Sequence, residues 1–250
     1  MLLFLLLSLF PLTQSRDTWK TQLSHQLCST RDHVTLTGQR TLANSGFHKD
    51  LTIHLDLGST PAAAFLLENI TSSFYLDLDQ IAEGLYLGYP PVFADAPIDV
   101  EQPADSSPNH LVGVLLQTHH VTLPVHHRYQ PAGSEPYATV CLPAPRVFLP
   151  VVTPAAEFAD LEAGMERVER ERGCRLLRAP CSTTQIPECG WEEVRVEGLE
   201  EPVCSTVPVG LLQHLGLVKI TCVAAILFGL SAIVYTALVK TNSKFESKSE

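Results

Sequence analysis

The sequence predicts a mainly β protein: an antiparallel, β-sandwich-like ectodomain carrying one surface helix, followed by a single C-terminal transmembrane helix. Three observations carry this expectation. Short segments alternate apolar and polar residues with period two. One charged stretch has a helical start and stop. Between Lys219 and Lys240, residues 220–239 run without a charge, long enough at 1.5 Å per residue to cross a ~30 Å hydrocarbon core.

In chain order, residues 1–15 open with leucine and phenylalanine and end in Thr13, Gln14 and Ser15 before the first charges, Arg16 and Asp17. The apolar run is too short to span, so it reads as a secretory signal peptide cleaved after Ser15. Residues 16–219 then form a lumenal or extracellular β-rich domain, with no obvious linker to divide it. The tail, residues 240–250, holds three lysines against Lys219 on the other side, which the positive-inside rule places in the cytosol.

Within the ectodomain, Leu51, Ile53, Leu55 and Leu57 alternate with Thr52, His54 and Asp56 between Gly46 and Gly58, the pattern of a half-buried strand. Phe74, Leu76 and Leu78 alternate with Tyr75, Asp77 and Asp79 in the same way. Residues 111–117, 121–126, 137–142, 146–149 and 192–197 are further short strands bounded by Pro, Gly, Ser or Asn. Such spacing favours an antiparallel sandwich or barrel over a parallel sheet. Residues 97–108 form a polar loop.

Residues 155–172 are the exception. Thr153 stands at an N-cap, Pro154 at the first helical position and Gly173 at the stop. Phe158, Leu161, Met165 and Val168 make a narrow apolar stripe among Glu and Arg, which predicts a solvated helix lying on the sheet.

Hydrophobic residues at 45% and charged ones at 18% describe a globular chain with a span, not a disordered one. A net charge of −10 without a basic cluster excludes nucleic acid as a partner class. Of seven cysteines, Cys222 falls in the span, leaving Cys28, Cys141, Cys174, Cys181, Cys189 and Cys204. Six cysteines in an oxidising lumen predict three disulfides, whose pairing the sequence leaves open. Four lie between Cys174 and Cys204, so the membrane-proximal stretch is expected to be the stapled part. Asn69-Ile70-Thr71 is the one N-glycosylation sequon.

Catalytic chemistry has little purchase. Asp77-Leu78-Asp79 has the D-x-D form that holds a divalent metal in sugar transferases, yet two carboxylates on the solvent side of a strand look the same. His119-His120 and His126-His127 could suggest zinc, but His120 and His126 would stand ~20 Å apart on one strand face. No serine or cysteine nucleophile motif is present. The sequence therefore predicts no catalytic residue, no metal and no cofactor.

The specific signal is Leu123-Pro124-Val125-His126-His127-Arg128-Tyr129-Gln130, followed by Tyr137, Val140 and Leu142-Pro143-Ala144-Pro145. Together with Gly46-Phe47-His48-Lys49-Asp50-Leu51, Gly84-Leu85-Tyr86, Ile98-Asp99-Val100-Glu101, Cys189-Gly190-Trp191 and Val207-Pro208-Val209-Gly210, it resembles the PIG-X family. That is the family of the accessory subunit of the endoplasmic-reticulum mannosyltransferase of glycosylphosphatidylinositol (GPI) anchor synthesis. The resemblance leaves out the helix of residues 155–172. It implies a type I membrane glycoprotein that is no enzyme, stabilises a multi-spanning catalytic subunit and resides in the ER membrane. Leu123 to Tyr129 would then build the core or present Arg128 and Tyr129 to the partner. A small-residue stripe in the span, Cys222, Ala225, Gly229, Ala232 and Thr236, offers a second contact, a membrane helix interface. The rivals are a cell-surface adhesion or receptor module and an ER transferase in its own right.

Overall fold

The computed structural model describes residues 19–29, 36–43, 46–57, 63–152, 161–182 and 188–246. The predicted signal peptide, Thr153 and Pro154, Phe158 and the end of the tail lie outside the described residues. The chain divides into two compact units, residues 1–129 with 139–207, and residues 130–138 with 208–250.

The first unit opens with α1 (Trp19–Leu23), β1 (Leu36–Ala43), β2 (His48–Asp56), β3 (Ala64–Ile70) and β4 (Phe74–Tyr75). Next come α2 (Leu78–Glu83), a 3₁₀ turn (Gly84–Leu87), β5 (Val92–Ala94), β6 (His110–Leu116) and β7 (His120–His127). After β8 (Tyr137–Leu142) and β9 (Arg146–Val152) the chain forms α3 (Leu161–Arg172), β10 (Leu177–Pro180), β11 (Glu188–Val194), β12 (Val196–Glu197) and β13 (Val203–Pro208). A five-stranded sheet has the order β12-β1-β2-β7-β4, and a six-stranded sheet the order β10-β11-β9-β3-β6-β5. All pairings in these two sheets are antiparallel except the short β1–β12 contact. The mainly β, antiparallel reading stands.

The alternation that marks β2 is realised as Leu51, Ile53, Leu55 and Leu57 at 3% exposure or less. Its neighbour β7 contributes Leu123 and Val125 to the same interior. Facing them, Leu66, Ile70, Val112 and Val114 come from the six-stranded sheet. The other face of that sheet is buried too, which a one-sided alternation does not foretell. There Phe65, Leu67, Leu115, Phe148, Leu177 and Trp191 pack under Trp19 of α1. Gly113 permits this: a Cβ there would lie 2.2 Å from Phe65 Cζ and 2.7 Å from Trp19 Cη2. Gln22 fastens the helix by taking the Arg178 N–H (2.8 Å) and donating to the Arg178 carbonyl (3.3 Å), which covers the exposed edge of β10.

Two predicted strands are corrected. The run 74–78 is strand only at Phe74–Tyr75, because Asp77 accepts the N–H groups of Asp79 and Gln80, both at 3.1 Å, and starts α2. The run 192–197 is two strands in different sheets, β11 with β9 and β12 with β1, since the chain crosses between sheets at Arg195. The helix of residues 155–172 is described from Leu161 and stops at Gly173, whose φ of +67° suits glycine. Met165 (2% exposed) is pressed against Cys28 and Leu176, with Leu161 and Val168 at its sides. Two of its charges reach neighbouring strands, Glu162 to Arg178 and Arg172 to Glu192, each at 2.7 Å.

All six cysteines outside the apolar C-terminal helix pair: Cys28–Cys174, Cys141–Cys204 and Cys181–Cys189. Only Cys181–Cys189 is local. The other two close separations of 146 and 63 residues, so the staples bind distant parts of the fold as well as the stretch that ends it. Cys141–Cys204 joins β8 to β13.

In the second unit, Gly133 N–H donates to the Gly210 carbonyl (2.9 Å) and Leu212 N–H to the Gly133 carbonyl (3.0 Å). The chain then enters α4 (Leu215–Glu246), in which residues up to Leu238 belong to an apolar segment, Leu212–Leu238, of mean hydropathy 2.4. None of that segment is buried within the protein, and by length and composition it can cross a membrane.

Candidate functional site

Hydrogen bonds His127 N–H to Phe47 O (2.8 Å) and Leu55 N–H to His119 O (2.8 Å) show that odd-numbered residues of β7 face β2. Pro124 therefore turns its missing N–H away from the β2–β7 ladder and costs it nothing. The even-numbered residues sit at the closer, non-hydrogen-bonded pairs, so His126 meets His48 and His120 meets His54 across the strands. The ring centroids are 4.2 Å and 6.4 Å apart.

His126 also stacks on Tyr75 (4.8 Å, 15°) and shares a 2.9 Å hydrogen bond between its Nε2 and Gln80 Oε1. Burial, with the like charge of His48 second, holds His126 below the usual imidazole range, while Asp77 pulls the other way. Among the described residues no three His, Cys, Asp or Glu side chains converge as a metal-binding group. The histidines form two separate pairs on an outer sheet face.

Asp77 and Asp79 do not share a strand face. Asp77 is occupied as the cap of α2, and Asp79 stands in the first turn, where a carboxylate suits the helix dipole. That geometry gives the D-x-D spelling a local structural role.

Arg128, which the sequence left between core and partner surface, is 2% exposed. Its Nε donates to Phe74 O (3.2 Å), and Nη1 donates to Asp99 O and Gln102 O, both at 2.7 Å. The guanidinium lies 5.1 Å from the Tyr75 ring centroid. One side chain thus fastens β4 and the loop after Pro97 to the end of β7. Burial lowers its pKa, with Asp99 and Tyr75 opposing. Tyr129, the next residue, is 75% exposed and rests on Phe47 at 5.2 Å. The motif divides its work: Leu123, Val125, His127 and Arg128 are buried inside, whereas His126 lies on the outer sheet face and Tyr129 is exposed.

Three arrangements escape sequence reading. Arg40 and Glu68 meet between the two sheets at 2.7 Å with 1% and 0% of their side chains exposed, and Arg40 Nη1 also donates to Pro143 O (2.8 Å). Burial pushes the Glu68 carboxyl up to about 7, against the pull of Arg40. No sequence cue pairs residues 28 positions apart in different sheets. Next, His127 Nε2 lies 2.7 Å from Ser205 Oγ, within nucleophile–base reach. The ring is 3% exposed, sits against Phe74 at 4.9 Å and is held below the usual imidazole range by burial, so the contact ties β13 to β7. Lastly, the turn Gly84–Leu87 displays Leu85, Tyr86 and Leu87 to solvent. Its signal was the apolar run before Gly88, which fits neither helix nor strand period.

Asn69 lies near the end of β3, half-buried on the face of Phe65 and Leu67, and Thr71 Oγ1 donates to Cys141 O (3.1 Å). Cys222, Ala225, Gly229, Ala232 and Thr236 lie on α4, in the segment able to cross a membrane.

A sequence model of the family described as PIG-X / PBN1 matches residues 44–238, a span that includes residues 155–172. Comparison with curated proteins and with solved structures gives no match.

Proposed function

The chain belongs to the PIG-X / PBN1 family, and from that premise we propose that it is the non-catalytic stabilising subunit of the ER mannosyltransferase that adds the first mannose to the GPI precursor. Membership implies, in general, an ER-associated accessory role in the GPI mannosyltransferase. The finer statement specifies the step and the partner, a multi-spanning catalytic subunit. The observation that carries it is the family match over residues 44–238.

The chain is proposed to be single-pass, with residues 16–219 lumenal, residues 220–239 in the membrane and residues 240–250 cytosolic. Three disulfides support placement of the domain in an oxidising compartment. Asn69 is proposed as a glycan site, with an ER-type glycan sensitive to endoglycosidase H. A subunit that binds only the folded enzyme stabilises it by RT ln(1 + [L]/Kd), about 2.7 kcal/mol at 100 times Kd. For a many-span enzyme this separates assembly from degradation.

The test is rescue. The full chain is expressed in cells lacking their own accessory subunit, and surface GPI-anchored proteins and the abundance of the catalytic subunit are followed. Recovery of both is expected. Recovery of neither, with the chain well expressed and unable to bind its cognate catalytic subunit, would refute the proposal.

A further inference from the structure

Residues 50–127 contain ten Asp and Glu but neither Lys nor Arg. Within this stretch lies an apolar turn that the fold holds in water. In Gly84–Leu87, Leu85, Tyr86 and Leu87 are 43%, 83% and 69% exposed. Tyr89 N–H donates to the Gly84 carbonyl and Gly88 N–H to the Leu85 carbonyl, both at 3.2 Å. Gly88 takes φ +94°, and Gly84 lies so close under Tyr89 that a Cβ would stand 2.1 Å from the ring. Two glycines placed where other residues would strain or clash fix the turn, and Asp77 fixes the helix that leads into it.

Three consecutive large apolar side chains on such a turn forgo the stabilisation that burial would give, and nothing in the fold requires it. Held in place and exposed, they are suited to burial against something else. Carboxylates lead into them: Asp79 and Glu83 are exposed on α2, the helix that runs directly into the turn.

We infer that this turn and its acidic rim are the docking surface for a polypeptide segment that presents apolar side chains beside Lys or Arg, on a lumenal loop of the membrane-embedded partner. The inference rests on the accessory-subunit reading and deepens it by naming the surface. Charge selects the occupant. Apolar anchors alone would suit a bilayer, but the exposed carboxylates of the helix leading into them resist approach to lipid headgroups and favour cationic side chains. Tyr86 is the central anchor, being aromatic and the most exposed of the three. Asp79 and Glu83 set orientation and salt dependence.

The experiment places a photoreactive amino acid at position 86 of the full chain, co-expressed with the catalytic subunit in ER membranes, and maps the adduct by mass spectrometry. In parallel, Glu83→Lys and the Leu85→Ser/Leu87→Ser double variant are tested for co-purification with that subunit. Expected are an adduct on a lumenal segment containing Lys or Arg and at least a tenfold loss of co-purification for both variants. Their tryptophan-monitored unfolding midpoints should match that of the unaltered chain. An adduct on lipid, an adduct on another protein, or no adduct while the subunit still co-purifies would overturn the assignment. So would variants that co-purify as well as the unaltered chain. If the unaltered chain itself fails to co-purify, the accessory-subunit reading falls with it; if only the variants are without effect, the surface alone is wrong. The adduct is formed in a chain that keeps Leu85, Leu87 and Glu83, so it decides the matter even where a variant unfolds.

Discussion

Glu68→Gln tests what the buried pair between the sheets does. Glu68 is fully buried, and burial raises its pKa from 4.5 to about 7. A carboxyl with a raised folded-state pKa favours the protonated fold. Its contribution to stability is fully present below pH 4.5 and is lost as pH rises through about 7. At about 1.4 kcal/mol for each tenfold change in proton affinity, the interval amounts to on the order of 3 kcal/mol. The substituted amide would keep the shape without the titration. The only two tryptophans, Trp19 and Trp191, are 8% and 1% exposed, so their fluorescence reports unfolding of the β-rich unit in the detergent-solubilised full chain. Denaturant midpoints taken from pH 4.5 to 7.5 should show the variant gaining about 3 kcal/mol on the unaltered chain as pH rises. Parallel curves would refute the reasoning. A variant that loses ground at high pH would show that the ionised Arg40–Glu68 pair is net stabilising, with attraction outweighing desolvation.

Further outcomes are expected for five variants. Gly113→Ala should cost about 1–3 kcal/mol, because its Cβ would meet Phe65 and Trp19 at 2.2 and 2.7 Å; the same fluorescence measurement checks it. Arg128→Met should cost about 2–4 kcal/mol by leaving the Phe74, Asp99 and Gln102 carbonyls without their donor. Tyr129→Ala, at an exposed position, should stay within about 0.5 kcal/mol, and equal losses for the two would contradict the division of the motif. Asp77→Ala should cost about 1 kcal/mol as a lost helix cap while mannose transfer is kept, and abolished transfer with the partner's abundance intact would point to a metal role instead. Gly229→Ile should reduce co-purification with the catalytic subunit; unchanged co-purification would remove the span from the interface.

Legibility followed how one-sided each element's environment is. β2 could be read because one of its faces is apolar and the other polar, and β8 was bounded at residues 137–142 as observed. β1 was missed because Gly38 and Arg40 occupy inward positions where the pattern wants apolar side chains. Gly38 has Leu199 and Val196 packed over it, and Arg40 has Glu68. β3 was missed because the sheet is buried on both faces, so Ala64 to Leu67 form a continuous apolar run with no alternation. Asp77 misled because the alternation of residues 74–78 is also compatible with a capped helix, and only the backbone turn chooses.

By itself the sequence determined whatever depends on local composition: the apolar segment long enough to cross a membrane, the β class, the even set of cysteines outside that segment and the family motif. Each rests on neighbours along the chain, where hydropathy, charge and spacing act directly. Tertiary structure alone decided the pairing of Cys28 with Cys174 and Cys141 with Cys204, the meeting of Arg40 with Glu68, and the burial of Arg128 beside an exposed Tyr129. Those depend on which strands become neighbours. The free energy of a buried charge or a disulfide is set by what surrounds it in space, and one sequence position does not carry that information.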